Sequence, residues 1–166
     1  MPWRPGSGTA GPSMTDHPVG PPPAGPTARV RRVLPAPPER VFAEWVDPEA
    51  ITAWMCPRPA RCLRAEIEPW VGGRLHFLIE ETGVEFSVAG QFTMLDRPHR
   101  LSFTWRCSTW PDPSADSLVV VSLVPHQHQQ TLMTIEHTLL PDGLADQHQA
   151  GWMAIAAQLE AALTRG

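Results

Sequence analysis

The sequence has no lysine: all 13 of its basic residues are arginine. Against them stand 17 acidic residues, for a formal net charge of −4. No arginine stripe or arginine-rich helix appears, which argues against nucleic acid or an anionic membrane surface as partner. No apolar run approaches the ~20 residues of a membrane span, and the N-terminus lacks the basic start and greasy stretch of a signal peptide. The expected location is therefore the cytoplasm. Cysteine is scarce. Cys56, Cys62 and Cys107 have no metal-type spacing, and an odd count leaves at least one thiol unpaired, so three reduced and mostly buried thiols are expected. Also missing are a glycine-rich phosphate loop, a nucleophile elbow and a paired-carboxylate motif. No cofactor, metal or catalytic residue is implied. His126 and His128 point the same way if they lie on a strand, but zinc needs further ligands that do not occur at motif spacing, and a solvated turn is the expected reading.

What is present fits one soluble domain. The chain has 166 residues, 42% hydrophobic and 18% charged, enough for one real core and too few for two. Residues 1–28 are set apart by Gly6-Ser7-Gly8, Gly11-Pro12-Ser13 and Pro21-Pro22-Pro23, with almost nothing to bury. Such a tail is expected to be disordered or extended, with Met14 as a second candidate start. The domain is assigned to residues 29–166.

Within it, Arg29 to Leu34 reads as a strand. Pro37-Pro38 opens a helix that turns Phe42, Trp45 and Val46 inward, since proline suits the first turn. Asp47 caps a second short helix through Trp54 and Met55, ended by Cys56-Pro57. Six strands follow. Gly72-Gly73 is expected to supply the positive-φ residues of one turn and Thr82-Gly83 to make another, while Gly90 marks a bulge or bend. The last helix, from about Leu144 to Leu163, carries His148, Trp152, Ile155, Leu159 and Leu163 on one face. Sequential strands joined by short turns are antiparallel. The last helix is the only element long enough to cover the greasy face of a seven-stranded sheet. The predicted architecture is α+β: a curved sheet gripping a helix.

Four tryptophans sit in recognisable phrases: Val41-Phe42 through Trp45-Val46-Asp47-Pro48-Glu49 with Trp54, Arg100-Leu101-Ser102-Phe103-Thr104-Trp105, and Gly151-Trp152. With Gly72-Gly73-Arg74 and Gly90, these make the stretch from Ala28 to Leu163 resemble the activator of heat-shock-protein-90 ATPase homologue family, within the START-like superfamily of helix-grip proteins. The chain departs from the family pattern at Glu68-Pro69-Trp70-Val71, ahead of the paired glycines. The superfamily resemblance implies a cavity between sheet and helix for apolar or amphipathic small molecules. The family name implies a co-chaperone, a role suited to members with an extra N-terminal domain; here a short Pro/Gly tail precedes the domain.

The leading expectation is non-catalytic binding of a hydrophobic small molecule. Its candidate site residues are Trp54, Phe77, Phe86, Phe103, Trp105, His148 and Trp152, with the first two helices flanking the entrance and Trp54 and Met55 forming part of it. A ligand burying ~300 Å2 of apolar surface would bind near micromolar. A second reading, a cyclase or aromatase-type enzyme such as some helix-grip relatives resemble, needs His148, His137 or Glu136 to face the void. Glu136 and His137 are adjacent, so on a strand they point to opposite faces; a hydrogen-bonded structural role is the simpler reading of whichever faces inward. A third reading, binding of a protein partner, predicts an exposed apolar patch on the outer sheet face with Leu78, Val119, Val121 and Leu123 as contributors. A homodimer stays open as well.

Overall fold

The computed structural model describes residues 26–166. The tail assigned to residues 1–28 falls, up to residue 25, outside the described residues. The elements run β1 (Ala28–Leu34), α1 (Pro38–Val46), α2 (Pro48–Thr52), β2 (Arg61–Ile67), β3 (Arg74–Glu81), β4 (Val84–Asp96), β5 (Arg100–Cys107), β6 (Ser117–His126), β7 (Gln130–Thr138) and α3 (Ala145–Arg165). All seven strands pair antiparallel in one curled sheet of order β1-β7-β6-β5-β4-β3-β2. This is the helix-grip architecture. No helix among the described residues is long and apolar enough to cross a membrane.

Local chemistry explains the boundaries. Pro38 occupies the first turn of α1. The Asp47 carboxylate accepts from the backbone N–H groups of Glu49 and Ala50, which caps α2. That helix stops at Thr52, earlier than expected, and Trp54 and Met55 follow it in a turn. Thr82 and Gly83, both at positive φ, join β3 and β4 in a two-residue hairpin whose flanking pair is Glu81 and Val84.

Two glycines do other work than expected. Only Gly72 of the 72–73 pair has positive φ. Gly73 is needed for closeness: a Cβ there would lie 2.1 Å from the Glu68 carbonyl oxygen. Glu68 itself closes this turn, accepting from the Arg74 backbone N–H at 2.8 Å. Gly90 is not the bulge. The register of β4 against β5 shifts between Phe92 and Met94 instead. At Gly90 the backbone of β5 crosses so near that a Cβ would sit 1.8 Å from the Thr104 carbonyl oxygen. The Thr104 hydroxyl accepts from the next backbone N–H, of Gln91, at 2.9 Å.

The apolar face of α3 presents Trp152, Ile155, Ala156, Leu159 and Leu163 to the bowl, all buried. The helix lies closest to β1, an edge strand. Paired Gln149–Arg29 hydrogen bonds at 2.7 Å and an Arg32–Glu160 hydrogen bond fix that side. At the other side Gln158 reaches the α2–β2 connection, donating to the carbonyls of Trp54 and Cys56 at 2.8 Å. A rod set against one edge of a bowl leaves the β3–β5 side to be filled by bulk. Tryptophan supplies it: Trp54 meets Trp45 edge-on at 4.9 Å between ring centroids, and Trp45 and Trp105 flank Trp152 at 6.3 and 5.3 Å. Each such aromatic pair contributes about 1 kcal/mol beyond its burial.

Val119, Val121 and Leu123 are core residues, at most 1% exposed. They do not form the outer apolar patch assigned to them. Because β6 is apolar on both faces, pattern alone does not tell which side is in. The faces are decided by register with β5 and β7.

Candidate ligand-binding site

The filling is incomplete. A cavity of about 150 Å3 remains between the N-terminal half of α3 and the sheet. Its floor is Val88, Trp105, Trp152 and Ile155, with Ile79 and Cys107 beside them. Its rim is Phe86, Pro57, Glu81, Gln147 and His148. A groove of about 430 Å3 adjoins it, sharing Glu81, Phe86, Cys107, Gln147 and His148 and adding Trp110 and Leu144.

Of the seven expected site residues, Phe86, Trp105, His148 and Trp152 line this cavity. Trp54, Phe77 and Phe103 do not. Phe77 and Phe103 sit deeper, in a tightly closed part of the core beside Trp45. Trp54 is wholly buried, with its indole N–H donating to Glu44 at 3.0 Å. Trp54 and Met55 are therefore not an entrance. The opening lies further along, where Cys56-Pro57 faces the start of α3 and the β3–β4 hairpin.

The expected thiols are all buried and free. Burial pushes the Cys56 thiol far above the ordinary range and raises Cys62 to about 11. Protonated thiols of this kind act as apolar wall rather than as nucleophiles. No group of three or more histidine, cysteine or acidic side chains able to hold a metal occurs among the described residues.

Behind the floor runs a closed polar chain. The Trp152 indole N–H donates to His137 Nδ1 at 2.9 Å. An indole only donates, so Nδ1 carries no proton there, and Nε2 must. Nε2 donates to the Ser117 hydroxyl at 2.7 Å, which donates in turn to the Trp105 carbonyl at 2.7 Å. Every member is satisfied. His137 is fully buried, and burial, helped by His148 nearby, pushes its pKa down to about 3. Sequence reading could not place Ser117 here, since it joins the network only through strand pairing. Glu136, on the opposite face of β7, forms an exposed ion pair with Arg29. Of the three polar candidates for proton transfer, only His148 borders the cavity.

His148 is held differently. Its Nδ1 lies 2.9 Å from the Leu144 carbonyl, one helical turn back. Its ring packs edge-on against Trp110 at 5.8 Å and against His137 at 5.2 Å. Burial lowers its pKa, opposed by the Leu144 hydrogen bond.

The family model described as "Activator of Hsp90 ATPase homolog 1-like protein" matches residues 35–164. The chain belongs to that family. No curated protein matches it. Among solved structures, protein CV1439 from Chromobacterium violaceum is similar over 82% of this chain and 96% of its own, at 28% identity and a TM-score of 0.76. An AHSA1 protein from Silicibacter pomeroyi aligns over 83% of this chain and 97% of its own, at 23% identity and a TM-score of 0.73. An HSP90 activator from Plasmodium falciparum covers 84% of this chain and 97% of its own, at 20% identity and a TM-score of 0.67. At these identities the last two likenesses concern the fold. In this member of the Hsp90-activator-like family, Trp45, Trp54, Trp105 and Trp152 are the bulkiest groups inside the grip, and Trp105 and Trp152 border the space left open.

Proposed function

We propose that this protein binds a small apolar molecule in the cavity between α3 and the sheet, without transforming it. The observation that carries the reading is the void itself: about 150 Å3, floored by Val88, Trp105, Trp152 and Ile155 and open at one side. Dry apolar cavities of this order accept a single aromatic ring. The volume narrows the expected ligand class. A steroid or a multi-ring polyketide is too large for the cavity alone, whereas one ring with a short substituent fits. Burying ~200 Å2 of apolar ligand surface gives roughly 5 kcal/mol before ordering costs, so a bare ring binds near millimolar.

The enzyme reading is weaker, because His137 has both ring nitrogens engaged and Glu136 is paired outside. The co-chaperone reading rests on the family name and on the relative described as an HSP90 activator, and three of the four residues expected in its apolar patch, Val119, Val121 and Leu123, are instead core.

Thermal shift against compounds of rising size tests the proposal. Phenol at ten times its dissociation constant is expected to raise the midpoint by about 4 °C, toluene near its solubility limit by less, and a steroid by nothing measurable. Failure of every single-ring compound to stabilise the protein would rule the reading out.

A further inference from the structure

We infer that the occupant is a single-ring compound carrying a neutral hydrogen-bond donor, of the phenol class, whose hydroxyl donates to His148 Nε2. The inference rests on the cavity reading above and adds to it the polarity of the ligand.

The reasoning is one of proton placement. A backbone carbonyl only accepts, so the 2.9 Å contact between His148 Nδ1 and the Leu144 oxygen puts the proton on Nδ1. In the neutral ring, Nε2 is then a bare acceptor. It makes no hydrogen bond within the described protein, and it is absent from the buried atoms that lack a partner, which are the indole nitrogens of Trp45 and Trp105. Nε2 is therefore accessible, and His148 lines both the cavity and its adjoining groove. The flanking rings of Trp110 and His137 limit rotation. His137 does not compete as an acceptor, because Trp152 and Ser117 occupy its nitrogens.

The surroundings sort ligands further. No arginine lines the cavity or the groove, and Glu81 stands at the rim of both. A carboxylate oxygen would meet a lone pair at Nε2 and a negative charge at the entrance. A purely apolar void prefers toluene to phenol, since the hydroxyl gives up its water for nothing. A void with a fixed acceptor reverses that order.

Isothermal titration at pH 8 with phenol, anisole, toluene and benzoate tests this. Phenol is expected to bind about tenfold more tightly than anisole or toluene, the worth of one neutral hydrogen bond, and benzoate not to bind. In His148→Leu the preference inverts, with toluene at least equal to phenol. Toluene binding as well as or better than phenol in the unaltered protein overturns the donor inference while leaving the cavity reading intact. Benzoate binding as tightly as phenol also overturns it. Absence of binding by all four sinks both. The comparison of phenol with anisole uses the unaltered protein, so it stands even if the variant does not fold.

Discussion

Trp152→Ala is expected to lose about 3–5 kcal/mol of folding stability, read as a fall in the urea midpoint. Three effects combine. The ring is almost wholly buried and packs against Trp45, Trp105 and His137. Its removal enlarges a void that already exists, so the neighbours have little to collapse onto. It also strips the only donor from His137 Nδ1. Trp152→Phe isolates the last effect. It keeps most of the ring and leaves a buried acceptor unpaired, at a cost of about 1–3 kcal/mol. Trp105→Phe is the matched control, because the Trp105 indole N–H has no partner to lose. It should cost less than Trp152→Phe. Equal costs for the two phenylalanine variants would contradict the account of the polar chain behind the cavity.

Acidification is expected to destabilise the protein well before its carboxylates titrate. His137 stays neutral in the fold, its pKa driven from 6.5 to about 3 chiefly by burial, while the unfolded chain keeps the ordinary value. Above 6.5 neither state holds the proton, and the contribution to stability is complete. Between 6.5 and about 3 the unfolded state binds a proton that the folded state refuses, so stability falls as pH falls. The slope is about 1.4 kcal/mol per pH unit, or about 2 kcal/mol between pH 7 and pH 5. His148, also lowered by burial, adds with the same sign. The lowered Glu80 and Asp112 carboxyls lose their contributions only further down, below the ordinary carboxylate range. Urea midpoints at pH 7, 6 and 5 measure the effect. His137→Gln should show a shallower slope whatever its absolute stability. A flat profile in the unaltered protein would mean that His137 takes up a proton without loss.

The fold was legible in the sequence because its signals are local. Alternation wrote the strands, Pro38 and Asp47 wrote the helix starts, and the apolar face of the last helix implied a sheet to cover. The site was legible only in part. Phe86, Trp105, His148 and Trp152 were marked by type and face, but so were Trp54, Phe77 and Phe103, and periodicity does not separate a residue beside a void from one packed in solid core. That distinction depends on where α3 lies across the bowl, which long-range contacts such as Gln149–Arg29 and Gln158–Trp54 decide. Cys56, Val88, Cys107 and Ile155 went unmarked as site residues for the same reason. Gly90 was read as a bulge or bend, although glycine in a strand also serves a close crossing. Only the approach of Thr104 shows which.

A crystal structure of the protein grown with saturating phenol is the most direct measurement. It should show one ring lying between Trp105, Trp152, Val88 and Ile155, with its oxygen within hydrogen-bond reach of His148 Nε2. A cavity holding only ordered water under those conditions, or phenol bound solely on the outer surface, would contradict the account.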